Sequence, residues 1–503
     1  MSPDTERLLA ASAVLAAYAA FCGVIAWRAA RRRRPATTTA AMPGASPVLV
    51  AYASQTGFAE ELAQRTAAVL QAGAVPVHVS DVDSLDAKAL SSARRALFLV
   101  STTGEGDAPD SAARFVRQVM GGAATLKGLD YGLLALGDRS YVRYCDFGRR
   151  LDGWLQAQGA TPLFSRIEVD GGATDALHRW QTHVEGIAGT AQGRASFAIE
   201  PEFAPWRLVE RRILNPNGLG GPVFRLAFEP LAGQPTWRAG DIAVLAPRNP
   251  PRAVQALLAT LGFNGEAPAE GGALSAALAT RQLPSDASAL SGQSAATLLE
   301  QLTRLPRREY SIASVPEDGR LELLVRQVRN EAGGLGIGSG WLTTHVPIGG
   351  EVALRLRSNQ AFRAPEQDMP MIFIGNGTGI AGLRAHLHAR LRAGHRQNWL
   401  LFGERSRASD FLCGEEIEGW LAAGGLARLD LAFSRDEPRR YVQDALRDET
   451  PMLRRWVDAG AVILVCGSLQ GMAPGVHAVL QEALGTDTLT ELAAQGRYRR
   501  DVY

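Results

Sequence analysis

Three glycines follow an apolar run in MPMIFIGNGTGIAGLRAHL (369–387). Gly377, Gly379 and Gly382 have the spacing G-x-G-x-x-G, between a predicted buried strand and a predicted helix. Glycines at these positions let the backbone approach a pyrophosphate, whose charge the N–H groups of the helix N-terminus stabilise. The segment therefore predicts a dinucleotide-binding site.

A second phosphate site is predicted at SQTG (54–57), between the apolar run VLVAYAS (48–54) and a helical pattern that begins at Phe58. The hydroxyls of Ser54 and Thr56 and the first N–H groups of the helix can bind a phosphate. The loop lacks the Gly-Lys-Ser/Thr of a P-loop, so it predicts a different kind of phosphate site.

Two more loops follow predicted parallel strands, STTGEGDAP (101–109) and RSYVRYCDF (139–147). Open α/β sheets bind their ligands at the carboxyl ends of such strands. Tyr141 and Tyr144 have the flat faces that can flank a planar ring. Together with the 54–57 turn, these loops predict one composite site for a phosphorylated ring compound.

Three groups of elements must position these residues. Residues 48–185 alternate buried strands with helices and predict a doubly wound α/β domain. Residues 202–365 contain short strand-like runs between Gly and Pro turns, typical of an antiparallel barrel, with an Ala/Leu-rich helical insert at 251–305. Residues 366–503 predict a second α/β domain, and 186–201 predict a linker.

In this order, the motifs resemble those of the diflavin reductases. That family includes the NADPH–haemoprotein reductases and the flavoprotein subunit of NADPH-dependent sulfite reductase. The resemblance extends over about residues 48–503. It implies a flavodoxin-like FMN domain at 48–185, an FAD-binding barrel at 202–365 and an NADPH-binding domain of the ferredoxin-reductase type at 366–503. Many relatives carry a large helical connecting domain where this chain has only the short insert.

SQTGFAEELA (54–63), STTGEGDAPD (101–110) and ALGDRSYVRYC (135–145) match the family's FMN loops. The FMN-binding residues that the resemblance implies are Ser54, Gln55, Thr56, Gly57, Phe58 and Ala59, then Ser101, Thr102, Thr103 and Gly104, then Leu136, Gly137, Asp138, Tyr141, Tyr144 and Cys145. Cys145 needs no redox role, because a small packed side chain also suits that position.

RREYSIAS (307–314) resembles the family's R-x-Y-S motif. Arg308 offers a bidentate fork to the FAD pyrophosphate, Tyr310 is expected to stack on the flavin and Ser311 to hydrogen-bond the ring. The FAD-binding residues implied are Arg308, Glu309, Tyr310 and Ser311, then Gly336, Gly338 and Ser339, with Tyr503 covering the ring.

LAFSRDEPRRYVQD (431–444) distinguishes NADPH from NADH, because a 2′-phosphate needs fixed cations. The NADPH-binding residues implied are Gly377, Thr378 and Gly379, then Ser434, Arg435, Arg439, Tyr441 and Gln443. Glu404 ends the next strand and could instead accept hydrogen bonds from the ribose of NADH, so NADH stays open as the reductant. Two residues depart from the family pattern: Asn376 replaces a usual proline, and Gly475 replaces an aspartate found in many relatives.

The resemblance also implies a reaction centre. Cys466 would lie beside the nicotinamide carbon, Asp501 near the path of the hydride, and Tyr503 over the flavin. With Ser311, these residues would form the polar group that stabilises charge during transfer.

Composition excludes several functions. The 503 residues contain 53 Lys and Arg against 51 Asp and Glu, a formal charge of +2, which argues against a nucleic-acid binder. The four cysteines are far apart and include no C-x-x-C, so neither a metal site nor a disulfide framework is predicted.

The beginning of the sequence predicts a membrane anchor. After a short leader (1–7), residues 8–27 carry no charge and are long enough to cross a bilayer as a helix. Arginines cluster in the basic, flexible linker at 28–47, so the positive-inside rule places the catalytic domains on the cytoplasmic side of an inner or cytoplasmic-type membrane. A buried or interfacial Ala-rich helix is the competing interpretation of this segment.

The function expected is that of a membrane-anchored oxidoreductase of the NADPH–haemoprotein reductase type. Electrons would pass from NADPH through FAD and FMN to a one-electron haemoprotein acceptor, which acidic residues near the FMN edge would dock. Those residues are Glu105, Asp107, Asp110 and Asp146. Three other functions remain open: the flavoprotein of assimilatory sulfite reduction, a ferric or siderophore reductase, and a non-catalytic redox-sensing scaffold that binds flavin.

Overall fold

The computed structural model describes residues 46–503, except for short gaps and one longer one. The gaps are 104–105, 123, 138, 140–142, 172–173, 190–202, 270–271, 285, 288–289, 291 and 331–332. The predicted leader and anchor lie outside the described residues, as do most of the two predicted linkers.

The N-terminal α/β unit is built on a parallel sheet whose central strands are buried on both faces. Its strands are β1 (Val48–Ala53), β2 (Val77–Asp81), β3 (Arg95–Ser101), β4 (Asp130–Gly137), β5 (Thr161–Pro162) and β6 (Ile167–Asp170). Its helices are α1 (Phe58–Ala72), α2 (Ala87–Ser92), α3 (Asp146–Ala157) and α4 (Thr174–Ala188), with a π-helical segment at Phe115–Met120. The strand order β2-β1-β3-β4-β5 is that of a flavodoxin-like sheet, and β6 also pairs with β4.

An antiparallel barrel follows, with a small helical insert. Its strands are β7 (Ala204–Ile213), β8 (Val223–Pro230), β9 (Ile242–Ala246), β12 (Arg308–Ser311), β13 (Leu321–Arg326) and β14 (Glu351–Arg357). They are ordered β12-β9-β14-β7-β8-β13, and an antiparallel bridge between Ile312 and Leu323 joins the two ends of that order. The barrel is closed by this bridge, and Trp206 and Phe228 fill its core.

The insert between β9 and β12 has its own apolar core. It contains α5 (Pro251–Leu261), the hairpin β10 (Pro268–Ala269) and β11 (Gly272–Ala273), α6 (Leu274–Leu278) and α7 (Ala295–Gln301). Leu274, Leu278 and Leu298 are fully buried in that core. A short helix α8 (Ile337–Gly340) lies between β13 and β14.

The C-terminal α/β unit has a parallel sheet in the order β17-β16-β15-β18-β19. Its strands are β15 (Met371–Asn376), β16 (Asn398–Glu404), β17 (Arg428–Phe433), β18 (Val462–Gly467) and β19 (Tyr498–Val502). Its helices are α9 (Ile380–Arg392), α10 (Arg407–Asp410), α11 (Gly414–Ala422), α12 (Val442–Asp448), α13 (Thr450–Asp458), α14 (Met472–Leu484) and α15 (Thr486–Ala494). The predicted fold class, two α/β sheets with an antiparallel barrel between them in sequence, is confirmed.

A buried network of charged side chains joins the barrel to the C-terminal unit. Arg384 of α9 donates to Glu322 of β13 at 2.8 Å and to both oxygens of Glu416 at 2.6 and 2.9 Å. His388, one turn further along α9, lies 3.0 Å from Asp318 and 2.9 Å from Glu416. Each charge in the network is therefore paired, as burial requires, and the contacts with Glu322 and Asp318 cross the interface.

The N-terminal unit is docked on the other two. Arg355 of β14 donates to both carboxylate oxygens of Glu61 of α1, at 2.8 and 2.9 Å. Arg500 of β19 forms an ion pair with Asp110, in the loop after β3. The carboxyl ends of β1, β3 and β4 thus face the barrel.

The predicted membrane location must be corrected. Among the helices that the structure describes between residues 46 and 503, none is long and apolar enough to cross a bilayer. The segment 8–27, on which the prediction depends, lies outside the described residues. The predicted single-pass, membrane-bound location is therefore withdrawn.

Candidate functional site

A cavity of about 340 Å³ lies where the N-terminal unit meets the barrel. From the N-terminal unit it is lined by residues of all three predicted loops: Gln55, Thr56, Phe58, Ser101, Thr102, Thr103, Leu136, Gly137, Tyr144 and Cys145. The hydroxyl oxygens of Thr102 and Thr103 are buried and have no hydrogen-bond partner. Because unpaired buried hydroxyls are costly, they indicate a polar ligand in this cavity.

The 54–57 turn, predicted to bind a phosphate, leads directly into α1. Ser54 Oγ accepts a hydrogen bond from Ala59 N at 3.2 Å, and Ser54 N donates to Ser111 Oγ at 3.1 Å. Gly57 has φ of 85°, and a Cβ atom at that position would lie 2.7 Å from the carbonyl oxygen of Ser358. The turn therefore requires glycine both for its backbone conformation and for its contact with the barrel side.

The third loop is held by buried contacts. Cys145 has φ of 55°, and its Sγ donates to Ala135 O at 3.3 Å. Burial raises the pKa of the Cys145 thiol to about 11, so it is a packed, protonated side chain at neutral pH. Tyr144 is half-buried, with the guanidinium carbon of Arg139 5.3 Å from the centre of its ring. Gly104, Asp138 and Tyr141 lie outside the described residues, as does Glu105.

The other wall of the same cavity comes from the barrel and the C-terminal unit. Arg308, Glu309 and Tyr503 line it. A Cβ atom at Gly338 would lie 2.6 Å from Arg308 Cγ and 2.9 Å from the hydroxyl of Tyr310, while one at Gly336 would lie 3.0 Å from the hydroxyl of Ser339. The two predicted FAD segments are therefore in contact, although they are separated in sequence.

The predicted reaction centre assembles at the carboxyl ends of β18 and β19. Cys466 and Asp501 are register partners on these strands, and β12 brings Ser311 to them. Ser311 Oγ donates to Asp501 Oδ2 at 2.8 Å, and Cys466 Sγ lies 3.9 Å from the same oxygen.

All three side chains of this centre are buried, so their proton equilibria are shifted. Burial raises the pKa of Asp501 to about 6, and the hydroxyl of Ser311 opposes that rise. Burial, and then the nearby Asp501, raise the pKa of Cys466 well above its ordinary value. The thiol is therefore a neutral donor, and Asp501 carries the titratable proton of the group.

A second cavity, of about 640 Å³, opens at the carboxyl ends of β15, β16 and β17. Among the predicted residues, Gly377, Thr378, Ser434, Tyr441, Gln443 and Tyr503 line it. Gly379 lies behind them, against the end of β18, where a side chain would overlap the carbonyl group of Cys466. Arg435 and Arg439 are exposed and are not part of the lining.

Sequence reasoning missed three arginines that do line this second cavity, Arg326, Arg405 and Arg440. Arg405 directly follows the strand β16, and this position at a strand end could have identified it from the sequence. Arg326 belongs to the barrel and reaches the cavity only through tertiary packing. Arg440 neighbours the predicted Arg439 and forms an ion pair with Asp448.

The two departures from the family pattern have structural reasons. Asn376 Oδ1 accepts a hydrogen bond from Ser468 N at 2.9 Å and so ties the end of β15 to the loop after β18. A proline could not make this bond. A Cβ atom at Gly475 would lie 3.1–3.2 Å from the side chain of Gln443, so the glycine leaves room for that glutamine in the cavity wall.

Comparison with known proteins agrees with this architecture. The family model Flavodoxin matches residues 50–180, and the model Oxidoreductase NAD-binding domain matches residues 373–478. The sulfite reductase [NADPH] flavoprotein alpha-component of Vibrio cholerae is 31% identical, over 90% of this chain and 87% of the relative. The chain belongs to the diflavin reductase family. Two further members with the same name, from Bacillus subtilis and Mannheimia succiniciproducens, are each 28% identical. The first alignment covers 91% of this chain and 89% of the relative, and the second covers 100% and 99%.

This diflavin reductase is an NADPH-dependent oxidoreductase whose cofactors are FMN, FAD and NADPH, as predicted. The residues present fit these groups. The unpaired hydroxyls of Thr102 and Thr103 fit the polar edge of FMN, and the close approach of Arg308 to Gly338 leaves a backbone cradle for FAD. In the second cavity, a buried nitrogen of Arg405 lacks a partner and fits a nucleotide phosphate. The assignment of individual residues to individual cofactors stays a prediction.

Proposed function

We propose that this protein is the flavoprotein component of an NADPH-dependent sulfite reductase and delivers electrons to a haemoprotein partner. The similarity to sulfite reductase flavoprotein components over nearly the whole chain supports this acceptor over a ferric or siderophore complex. When bound, NADPH supplies a hydride, FAD accepts it and FMN passes electrons on singly.

One observation supports the relay most directly: the three FMN loops and the Arg308 segment line the same cavity. Residues predicted to bind one flavin therefore line the same cavity as residues predicted to bind the other. The Ser311–Asp501–Cys466 group lies at the end of β12, which carries the Arg308 segment. Its role is to orient the reacting ring, with Asp501 as the carboxyl group that titrates near pH 6. An intact, buried group of this kind argues against a scaffold that only binds flavin.

Two of the acidic residues predicted to dock the haemoprotein differ in their accessibility in the docked arrangement. Asp110 is occupied by Arg500, whereas Asp107 is exposed at the rim of the same loop. We propose that Asp107 contributes to docking of the haemoprotein, and that Asp110 becomes available to it only when the N-terminal unit moves away from β19.

The test uses the purified full chain loaded with both flavins. NADPH oxidation is followed with cytochrome c as a general haem acceptor, and sulfide formation is followed after a sulfite reductase haemoprotein subunit and sulfite are added. We expect NADPH-dependent reduction of cytochrome c, and sulfide formation only when the haemoprotein subunit is present. Reduction of cytochrome c without sulfide would refute the acceptor while leaving the diflavin relay in place.

A further inference from the structure

A carboxylate at the edge of the nucleotide cavity is bound by the barrel. Arg326, the last residue of β13, places its Nη2 2.9 Å from Oε1 of Glu404. The other carboxylate oxygen of Glu404 accepts a hydrogen bond from Arg405 N at 2.9 Å. The Glu404 side chain is only 4% exposed, so both of its oxygens are paired and it has little access to solvent.

Glu404 lies at a position where a carboxylate influences the choice between NADH and NADPH. Glu404 ends β16, the strand beside the one that leads into the Gly377 turn, and Ser434 N donates to its carbonyl oxygen at 2.9 Å. In dinucleotide-binding folds, a carboxylate at the end of this strand accepts hydrogen bonds from the ribose 2′-hydroxyl of NADH. Unpaired, it would repel a 2′-phosphate. Here the guanidinium of Arg326 neutralises it.

A second guanidinium lies beside the first. Nη1 of Arg405 is buried and has no hydrogen-bond partner, and Nη1 of Arg326 donates to Gly221 O at 3.0 Å. Glycine at position 220 allows the two to approach, because a side chain there would overlap Arg405 and lie 2.9 Å from Arg326 Nη1. Only the guanidinium of Arg326 is paired with Glu404, which Arg405 contacts through its backbone N–H. The two guanidinium groups and the one carboxylate, all in the lining of the cavity, therefore carry a net positive charge.

We propose that Arg326 and Arg405 form the cationic corner that selects the 2′-phosphate of NADPH, with Glu404 as the positioning residue that fixes Arg326. Ser434 lines the cavity beside this corner, whereas the exposed Arg435 and Arg439 do not. Discrimination between NADPH and NADH thus depends on a residue of the barrel as well as on the nucleotide-binding unit. The inference rests on NADPH as the reductant and is independent of the proposed acceptor.

Binding of nucleotide fragments tests it without turnover. The flavin-loaded full chain and its variants are titrated calorimetrically with 2′,5′-ADP, 5′-AMP and ADP, which separate the 2′-phosphate from the 5′-phosphate and the pyrophosphate. For Arg326→Ala we expect the Kd of 2′,5′-ADP to rise about tenfold or more, since a charged hydrogen bond is lost and Glu404 is left unpaired. The Kd values of 5′-AMP and ADP should change less than about threefold, within the usual spread of surface substitutions.

A second variant tests the part assigned to Glu404. In the double variant Arg326→Ala/Glu404→Gln the repelling charge is absent, so 2′,5′-ADP should bind more tightly than to Arg326→Ala alone. Arg320→Ala is the matched control, because Arg320 precedes the same strand and pairs with Glu210 and Glu229 at the surface. It should bind all three probes as the unchanged protein does.

Two results would overturn the proposal. An equal loss of affinity for all three probes would assign Arg326 to the 5′-phosphate that they share, and unchanged affinities would remove it from the site. The flavin content of each variant shows whether it has folded. Arg326→Lys keeps the positive charge and so tests whether the charge alone is sufficient. If Arg326→Lys binds 2′,5′-ADP as weakly as a flavin-retaining Arg326→Ala, the fork geometry of Arg326 is required.

Discussion

Arg500 and Asp110 connect the strand of the reaction centre to the FMN loops: Arg500 Nε donates to Asp110 Oδ2 at 2.7 Å. Gln55 strengthens the contact, because its Nε2 donates to Arg500 O at 2.8 Å. Asp501, the next residue on β19, lies in the reaction centre. Since successive side chains of a strand point to opposite faces, one short strand carries both the docking contact with the N-terminal unit and a residue of the predicted reaction centre.

Loss of the Arg500–Asp110 pair should undock the N-terminal unit. We expect Asp110→Asn to increase the radius of gyration measured by small-angle X-ray scattering, because a charge-assisted, partly buried pair is weakened. Asp107→Asn is the control, since Asp107 is exposed, and it should leave the radius unchanged. Equal radii for both variants and the unchanged protein would show that this pair does not hold the docked form.

Gly57 should not tolerate a side chain. Gly57→Ala places a Cβ atom 2.7 Å from Ser358 O at φ of 85°, so we expect a loss of about 1–3 kcal/mol of stability and a lower FMN content. Flavin release and thermal unfolding measure both effects. Gly153→Ala in α3 is the control, because nothing lies within 4 Å of its new Cβ atom. A helix position of this kind should gain stability instead.

Asp501→Asn should slow the reductive reaction and change its pH dependence. The pKa of Asp501 is raised to about 6 by burial, so the carboxylate is charged above that pH and protonated below it. We expect NADPH-to-ferricyanide turnover of the unchanged protein to change around pH 6, and turnover of the Asn variant to be lower by about tenfold and flat there. An inflection near pH 6 that persists in the variant would assign the titration to another group.

The same aspartate should affect stability with a defined sign. A carboxylate whose pKa is raised on folding stabilises the folded state below its unfolded pKa, and this contribution is lost as pH rises through about 6. The melting temperature of Asp501→Asn, relative to the unchanged protein, should therefore rise between pH 4 and pH 7. A constant difference over that range would contradict the assignment.

His388 should make the interface between the barrel and the C-terminal unit pH-sensitive. Burial lowers the pKa of His388, but its contacts with Asp318 and Glu416 outweigh that effect, so the pKa is raised. A raised histidine pKa stabilises the fold below the unfolded value, and this stabilisation is lost as pH rises through the folded value. His388→Gln should therefore lower the melting temperature at pH 6 and have a smaller effect at pH 9. The nearby Arg384 lowers the pKa of His388, and it is present in both the unchanged protein and the His388→Gln variant.

The sequence predicted those parts of the site that contiguous motifs carry. Gly377 and the 54–57 turn could be expected, because strand ends of parallel sheets form ligand sites. The meeting of Ser311, Cys466 and Asp501 was implied by the family resemblance alone. The contribution of Arg326 could not be predicted from the sequence, because it depends on how β13 of the barrel packs against the C-terminal unit. The sequence pattern favoured Asp110 as a contact with the electron acceptor. That prediction could not take Arg500 into account, because only the three-dimensional structure reveals it as the partner of Asp110.

Buried Arg384 has a consequence for recombining this protein with its relatives. Its carboxylate partners are divided, with Glu322 in the barrel and Glu416 in the C-terminal unit. A chimaera whose crossover lies between those units can remove Glu322 and leave the buried guanidinium with Glu416 as its remaining carboxylate partner, and breaking one such buried pair costs about 3–5 kcal/mol. A crossover between the N-terminal unit and the barrel interrupts only contacts such as the Arg355–Glu61 pair, which is nearer to solvent. Functional hybrids should therefore exchange the FMN unit freely and inherit the other two units from one parent.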